Sequence, residues 1–516
     1  MTLLVGVDVG TTNVKAVVYE PTGEAVAGAS VATLTHHPRA GAAHYVASEL
    51  WAQVVTALRQ ALGKLEAKQV AQIRGIAVTS MGESGVPLDA DGEPTFDVIA
   101  WFDTRSAPQA EALGERFGRQ ALFSSSGLSL QPIWSLCKLL WLGEHQPEAF
   151  ARTVRWLNVA DYIAFRLSGV HATDYSLASR THALVLRERR WNEALLADLN
   201  LPTNLFAPLV ESGHRLGQIV PEAARETGLP AGTVVAAGGH DHVCGALAAR
   251  VTEPGAVLNS IGTAEALFVP LLEPVSDPTF GEQGYTQGAH VVQDRYYAFG
   301  GQYTSGAAIE WLREVLGTDV PYGDLIVEAA ETPPGSLGAC FLPYLRIAAP
   351  PHDNPNPGGA FVGLSTDAGR GVMVRAVFEG LAFASKASLD PLLAHAEIGQ
   401  PESITAIGGV TKNELLMQIK ASVYDCGITV AGVEEATTLG AAMLGGIGAG
   451  VYNDISAALA TLDHLATEID PDPNQARLYA QIFERVYQRI YPALIDLHAE
   501  SRAIQAGLVG EPDGAG

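Results

Sequence analysis

Apolar and polar positions alternate in short blocks at the start of the chain. Leu3 to Val7 is an apolar run that ends in a glycine turn. Val14 to Tyr19 resumes with β-branched residues, and Pro21-Thr22-Gly23 marks the next turn. Such blocks predict a hairpin-rich start to a sheet. Trp51 to Leu65 carries apolar residues at helical spacing, Ile73 to Val78 reads as a buried strand, and Thr79 to Gly85 as a polar loop. Helical patterns dominate from Ala107 to Leu167, and Val234 to Ala237 is a short apolar strand closing on Gly238-Gly239.

A second start follows Pro254. Ala256 to Leu258 leads into Asn259-Ser260-Ile261-Gly262-Thr263, and Ala266 to Val269 resumes as a strand. Asp8-Val9-Gly10-Thr11 and Ser260-Ile261-Gly262-Thr263 share the order strand, x-x-Gly-Thr, strand. Two similar lobes facing one cleft would produce this echo; so would chance recurrence of a common hairpin turn, and four residues leave both open. Pro350 to Gly359 reads as a loop, Val372 to Leu389 and Glu414 to Val423 as helices. Thr437 to Gly450 is a helix whose Gly and Ala content permits close backbone packing. Gln475 to Ala499 predicts one long amphipathic helix, and the end of the chain, residues 501–516, a disordered tail.

A chain of 516 residues exceeds one compact core, so two or more domains are expected. Net charge is −24, which repels nucleic acid and anionic membranes and argues against both as partners. An anionic nucleotide remains acceptable, because backbone N–H groups and a cation supply local positive potential. The four cysteines are far apart and form no CxxC, which reads as buried free thiols in a reducing compartment. There is no signal-peptide pattern and no apolar run long enough for a convincing membrane span, so a cytoplasmic location is expected. A homodimer is the default expectation for the assembly.

Three segments carry candidate chemistry. In Asp8-Val9-Gly10-Thr11-Thr12 the glycine lets backbone N–H groups approach an anion, the threonines add donors, and Asp8 can hold Mg²⁺ directly or through water. Together they suit a triphosphate. The segment is neither a Walker A loop nor GxGxxG. A plain hairpin turn explains the same residues. In Gly239-His240-Asp241-His242 a carboxylate sits where a strand hands over to a helix, and there it can take a proton from a substrate hydroxyl. The alternatives are an N-cap and a metal site built from His240, His242 and Cys244. Gly408-Gly409, with Asn413 following, lets an adenine or a phosphate approach the backbone, or makes a tight β–α turn.

Together these segments resemble the FGGY carbohydrate kinase family, within the actin/hexokinase/Hsp70-like fold. The matching elements are Asp8-x-Gly-Thr-Thr, Trp101-Phe102-Asp103-Thr104-Arg105, Gly239-His240-Asp241, Ser260-Ile261-Gly262-Thr263, the segment Ser305-Gly306 to Leu312, Gly408-Gly409, and Glu434-Glu435-Ala436 leading to Gly440-Ala441-Ala442. They occur in family order and spacing from residue 3 to about residue 450. The resemblance implies an α/β protein of two ribonuclease H-like (actin-like ATPase) lobes with a cleft between them. The N-terminal lobe would span residues 1–250 and the C-terminal lobe residues 251–500. It implies an ATP-dependent sugar kinase acting on a ketose or related polyol, xylulose- or fuculose-like, with Mg²⁺.

Asp241 then resembles the catalytic base and Asp8 the carboxylate near the metal. Thr11, Thr12, Gly262 and Thr263 fall on the phosphate side, and Gly306, Gly409 and Asn413 on the rest of the nucleotide. Gly82, Glu83, Trp101, Asp241 and His242 fall on the sugar side. The chain departs from the family in places. Gly82-Glu83 matches neither the Arg-Glu pair of glycerol kinases nor the Met-His pair of xylulokinases, and the missing Arg argues against a glycerol kinase. The Gly-His-Asp form of the base motif resembles L-fuculokinases more than xylulokinases, and Ala421-Ser422 replaces the usual Ala-Asp. An erythritol-type polyol kinase remains an alternative. So does an actin/Hsp70-like ATPase switch, although no extra peptide-binding or polymerising domain follows the second lobe.

Overall fold

The structure is a computed structural model that describes residues 2–509 apart from Ala40, Thr318, Asp319, Pro355 and His464. Two sheets organise it. The first contains β1 (Leu3–Val9), β2 (Asn13–Tyr19), β3 (Ala25–Ala32), β4 (Ile73–Ser80), β5 (Arg215–Gln218) and β6 (Val234–His240), in the order β5-β6-β4-β1-β2-β3. The second contains β7 (Val257–Ile261), β8 (Glu265–Leu271), β9 (Thr286–Ala289), β10 (Tyr296–Gln302), β11 (Ser403–Ile407), β12 (Gly427–Ala431) and β13 (Ala466–Ile469), in the order β9-β10-β8-β7-β11-β12-β13.

The two orders match over six strands, and the second sheet adds β9 at one edge. In each sheet a run of three antiparallel strands (β1-β2-β3, and β7-β8-β10 with β9 intervening in the chain) is followed by two strands parallel to the first, and then by an antiparallel edge. Asp8 faces Lys15 in one hairpin and Ser260 faces Ala266 in the other, each two residues before the turn glycine. The four-residue echo in the sequence is therefore a repeat of a whole sheet. Chance recurrence is set aside on topology, which four residues could not do.

Helix 436–448 follows the second sheet's β12 in the chain but packs on β1 and β4 of the first sheet and against helix 241–248. Glycines make this approach possible. A Cβ on Gly6 would lie 1.8 Å from the Thr438 carbonyl oxygen, and one on Gly440 would lie 2.0 Å from that of Cys244. Leu4, Ala77, Leu247, Leu258, Phe268 and Leu444 share one apolar cluster, which ties the two sheets together. All four cysteines are buried and free.

Several expectations need correction. Thr79–Gly85 is a loop only at its centre, because β4 runs to Ser80 and a further strand, Gly85–Leu88, pairs with Arg155–Asn158. That pairing interrupts the helical region expected from 107 to 167. Its residues alternate weakly, so only the partner strand reveals them as extended. The long helix expected over 475–499 is instead Pro473–Ile482, a wide π turn at Phe483–Tyr487, and Gln488–Val509. Pro492 has no N–H to give to the Gln488 carbonyl, so regular helical bonding is broken next to the wide turn. The same helix reaches Val509, so the tail expected from residue 501 is helical at least that far. Residues 510–516 lie outside the described residues. Among the described residues no helix is long and apolar enough to cross a membrane.

Candidate active site

The two glycine turns open on one cleft of about 410 Å³. Thr11 lines it from the first sheet, and Ser260, Gly262 and Thr263 from the second. Gly82, Glu83, Trp101, Arg180 and the run His240-Asp241-His242 line its inner part.

Asp241 is the first residue of helix 241–248, one position after the N-cap, which is His240. Its Oδ1 accepts from the N–H of the next residue, His242, at 2.6 Å, and lies 3.5 Å from His240 Nε2. The N-cap reading therefore fails. Burial pushes the Asp241 carboxyl from the ordinary 3.8 up to about 7. The His242 N–H opposes that rise, Glu83 adds to it by repulsion, and Arg180 opposes it. A carboxyl that exchanges its proton near neutrality suits general-base work.

Asp8 is the penultimate residue of β1 and receives a hydrogen bond on Oδ2 from Thr437, at 3.1 Å. Its Oδ1 is buried without a partner. Burial and the charge of Asp241 push the Asp8 carboxyl up to about 7. Two crowded carboxyls and an orphaned buried oxygen fit a cation, because a bound positive charge would lower both. Lys15 on β2 pairs with Glu435, at 2.7 Å, and anchors the start of helix 436–448 beside Asp8.

Glu83 sits at φ 61°, a left-handed conformation uncommon outside glycine. Its backbone oxygen accepts from the buried Lys138, at 2.9 Å, and from Ser135. Lys138 also reaches the Ile99 carbonyl, at 3.5 Å, two residues before Trp101. Burial brings the Lys138 ammonium down to about 7, although Glu83 and Asp103 oppose the drop. Arg180 places both Nε and NH2 on Glu83 Oε1, at 2.6 Å each. Oε2 has no hydrogen-bond partner among the described residues, and Glu83 lines the cleft. Trp101 donates its indole N–H to the Thr11 hydroxyl, at 2.9 Å, which joins the sugar-side loop to the phosphate-side turn. Burial keeps His240 and His242 neutral at physiological pH. Among the described residues no three His, Cys, Asp or Glu converge to hold a metal, and the Cys244 thiol is buried and pushed up, so the His240-His242-Cys244 reading lacks support.

The nucleotide-side residues fare differently from one another. The N–H of Gly306 is spent on the Gly262 carbonyl, and those of Ser305 and Ala307 on Thr263, so this helix start braces the second turn. Thr12 is exposed beside Gly10, and Gly409 has open space over its Cα. Asn413 is buried and caps helix 414–424 through Leu416 N–H, while its amide donates to Tyr322. Both of its polar groups are thus used inside the protein. Below the second turn, buried Glu265 accepts from Lys420 (2.6 Å), Asn259 and Gln302. Burial alone would raise its carboxyl, yet these partners hold it below the ordinary range.

Family models for the N-terminal and C-terminal domains of the FGGY family of carbohydrate kinases match residues 3–248 and 257–449. The chain belongs to the FGGY family of carbohydrate kinases. It is accordingly an ATP-dependent sugar kinase with two actin-like lobes. This FGGY kinase is 28% identical to the xylulose kinase of Bacillus subtilis (strain 168) over 506 residues, 98% of this chain and 100% of that protein. It is 30% identical to the autoinducer-2 kinase of Photorhabdus laumondii over 510 residues, 95% of this chain and 94% of that one. The crystal structure of gluconate kinase from Lactobacillus acidophilus superposes with a TM-score of 0.88 at 25% identity, covering 97% of this chain and 99% of that chain.

Sequence reasoning placed Asp8, Asp241, Glu83, Trp101 and both turns in one site, and the FGGY kinase fold brings them together. It missed Arg180 and Lys138. Arg180 lies 97 residues from Glu83 and supplies the guanidinium that the 82–83 loop lacks. The legible signal was two basic residues, Lys138 and Arg180, among otherwise apolar or small neighbours, which calls for a buried partner.

Proposed function

We propose that this kinase transfers the γ-phosphate of ATP to a hydroxyl of a neutral ketose or closely related polyol, xylulose-like, with Asp241 as general base. The charge balance of the inner cleft carries the choice of a neutral substrate. Glu83 and Asp241 are acidic, Asp8 adds a third carboxyl beside Asp241, and Arg180, the one guanidinium among the described residues that line the cleft, already serves Glu83. A sugar acid would meet this acidic excess with no free cation among the described residues of the lining, whereas neutral hydroxyls can donate to Glu83 Oε2 and to Asp241. The name of the B. subtilis relative agrees with this reading, and that of the L. acidophilus structure does not.

In the reaction, Asp241 takes the proton of the attacking hydroxyl. That oxygen bonds to the γ-phosphorus as the bond to the β–γ bridging oxygen breaks, and ADP leaves. Thr11, Thr12, Gly262 and Thr263 face the phosphates from both lobes, and Gly409 leaves room on the nucleotide side. Asn413 contributes indirectly, by capping helix 414–424 and holding Tyr322. Asp8 would hold Mg²⁺ through its unpartnered Oδ1; the ion would neutralise charge on the phosphoryl oxygens.

The test is coupled ADP release with a panel of ketopentoses, deoxyketohexoses, tetritols and aldonic acids. A neutral ketose or polyol should give the highest kcat/KM. An aldonic acid as best substrate would overturn the charge argument, and no stimulation by any of them would overturn the metabolic-kinase reading.

A further inference from the structure

Residues 174–182 take no chemical step in the mechanism above, yet they bond to the Glu83 loop, to the end of β6 beside Asp241 and to the second sheet. Asp174 fixes the segment. Its Oδ1 accepts from Leu177 N–H, and its Oδ2 accepts from the N–H and hydroxyl of Ser176 and from the hydroxyl of Ser212. Ser176 Oγ accepts from His240 N–H, at 2.9 Å, and so holds the end of β6 next to Asp241. Three residues on, Ser179 Oγ accepts from Ala289 N–H, at 3.2 Å, on β9 of the second sheet. Arg180 then pairs with Glu83 in the sugar-side loop and directs NH1 to Tyr297 OH (3.4 Å) and Thr286 Oγ1 (3.5 Å), both on the second sheet. Its guanidinium lies over the Trp134 ring, 4.8 Å from the centroid, and that ring also lines the cleft.

The bonds from Arg180 to the second sheet are long, whereas its pair with Glu83 is short. A sugar hydroxyl on Glu83 Oε2 would draw on the carboxylate that Arg180 holds. The guanidinium would then be freer to tighten on Tyr297 and Thr286. One rigid segment thereby carries a local event in the sugar pocket to the other lobe.

We propose that Arg180 is a positioning residue that couples sugar occupancy at Glu83 to docking of the second lobe, so that ATP is turned over only when sugar is bound. This rests on the sugar-kinase reading above. An enzyme whose cleft closes without its acceptor would pass phosphate to water.

The experiment measures two quantities in wild type, Tyr297→Phe, Arg180→Lys and the double variant. One is ADP release without sugar. The other is the ratio of ADP to sugar phosphate with sugar. Tyr297→Phe removes one hydroxyl and keeps the ring, so it tests the link even if changes at Arg180 impair folding. In wild type the ratio should be near one. Tyr297→Phe and Arg180→Lys should each raise sugar-independent ADP release relative to the sugar-stimulated rate by about threefold to tenfold. The double variant should be no worse than Arg180→Lys, because both changes cut one link. Variants with raised KM or lowered melting temperature but a ratio still near one, or effects that simply multiply in the double variant, would overturn the proposal. Failure of the wild type to respond to any sugar would instead overturn the reading on which it rests.

Discussion

Replacing Asp241 by Asn should separate activity from stability in opposite directions. The change is isosteric, and the amide oxygen can still accept from the His242 N–H. The base is lost, so turnover of the sugar should fall by about 10²- to 10⁴-fold. Stability should rise. The wild-type carboxyl moves from 3.8 in an unfolded chain to about 7 in the folded one, roughly three units. At about 1.4 kcal/mol per unit, this comes to on the order of 4 kcal/mol. A carboxyl with a raised folded pKa favours the folded state fully below pH 3.8, and this contribution is lost as pH rises through about 7. The Asn side chain does not titrate, and its neutrality also relieves Asp8 of a repelling charge. The variant should therefore melt near the wild type at pH 4 and increasingly above it from pH 5 to pH 8, in the absence of nucleotide. Coupled ADP release and thermal melts across this range are the assays. Near-normal turnover would remove Asp241 as the base. A melting difference that does not change with pH would refute the claim that burial of this charge is unfavourable.

Three other perturbations probe the supports of the cleft. Lys420→Met leaves Glu265 buried with neutral donors alone, and should destabilise the protein by about 3–5 kcal/mol in urea unfolding and raise KM for ATP, with Glu265→Gln in the same chain recovering much of the loss. Gly440→Ala drives a Cβ to 2.0 Å from the Cys244 carbonyl oxygen, and neither backbone can yield. It should cost about 3 kcal/mol or more in the same assay and displace helix 241–248, which a loss of kcat would report. Lys138→Met removes the donor on the Glu83 and Ile99 carbonyls while keeping the stem, so KM for sugar should rise about tenfold with a smaller change in kcat; an unchanged KM would mean that the Glu83 loop holds its shape unaided.

Much of the site was legible because its parts are local. The Gly-Thr turns, the Gly-Gly breaks and the carboxylates at strand ends depend on backbone conformations that a few neighbouring residues dictate. Helix 436–448 was likewise legible, since its Gly and Ala content forecast the close packing that Gly440 makes with Cys244. The misses share a cause. The strand at 155–158 is extended because Gly85–Leu88 lies beside it, and Asn413 looks like a ligand residue until Leu416 and Tyr322 take its polar atoms.

The sequence by itself determined the strands around both Gly-Thr turns, the repeat of the turn, and which carboxylates stand near strand ends, because propensity and periodicity act over a few residues. The tertiary structure alone decided which charges meet. Glu83 reads as one acidic loop residue, and only folding brings it to Arg180, Lys138 and Asp241, so its meaning as a sugar contact depends on residues up to 158 positions away. Electrostatics in a buried cleft follows distance in space, which the order of residues along the chain does not encode locally.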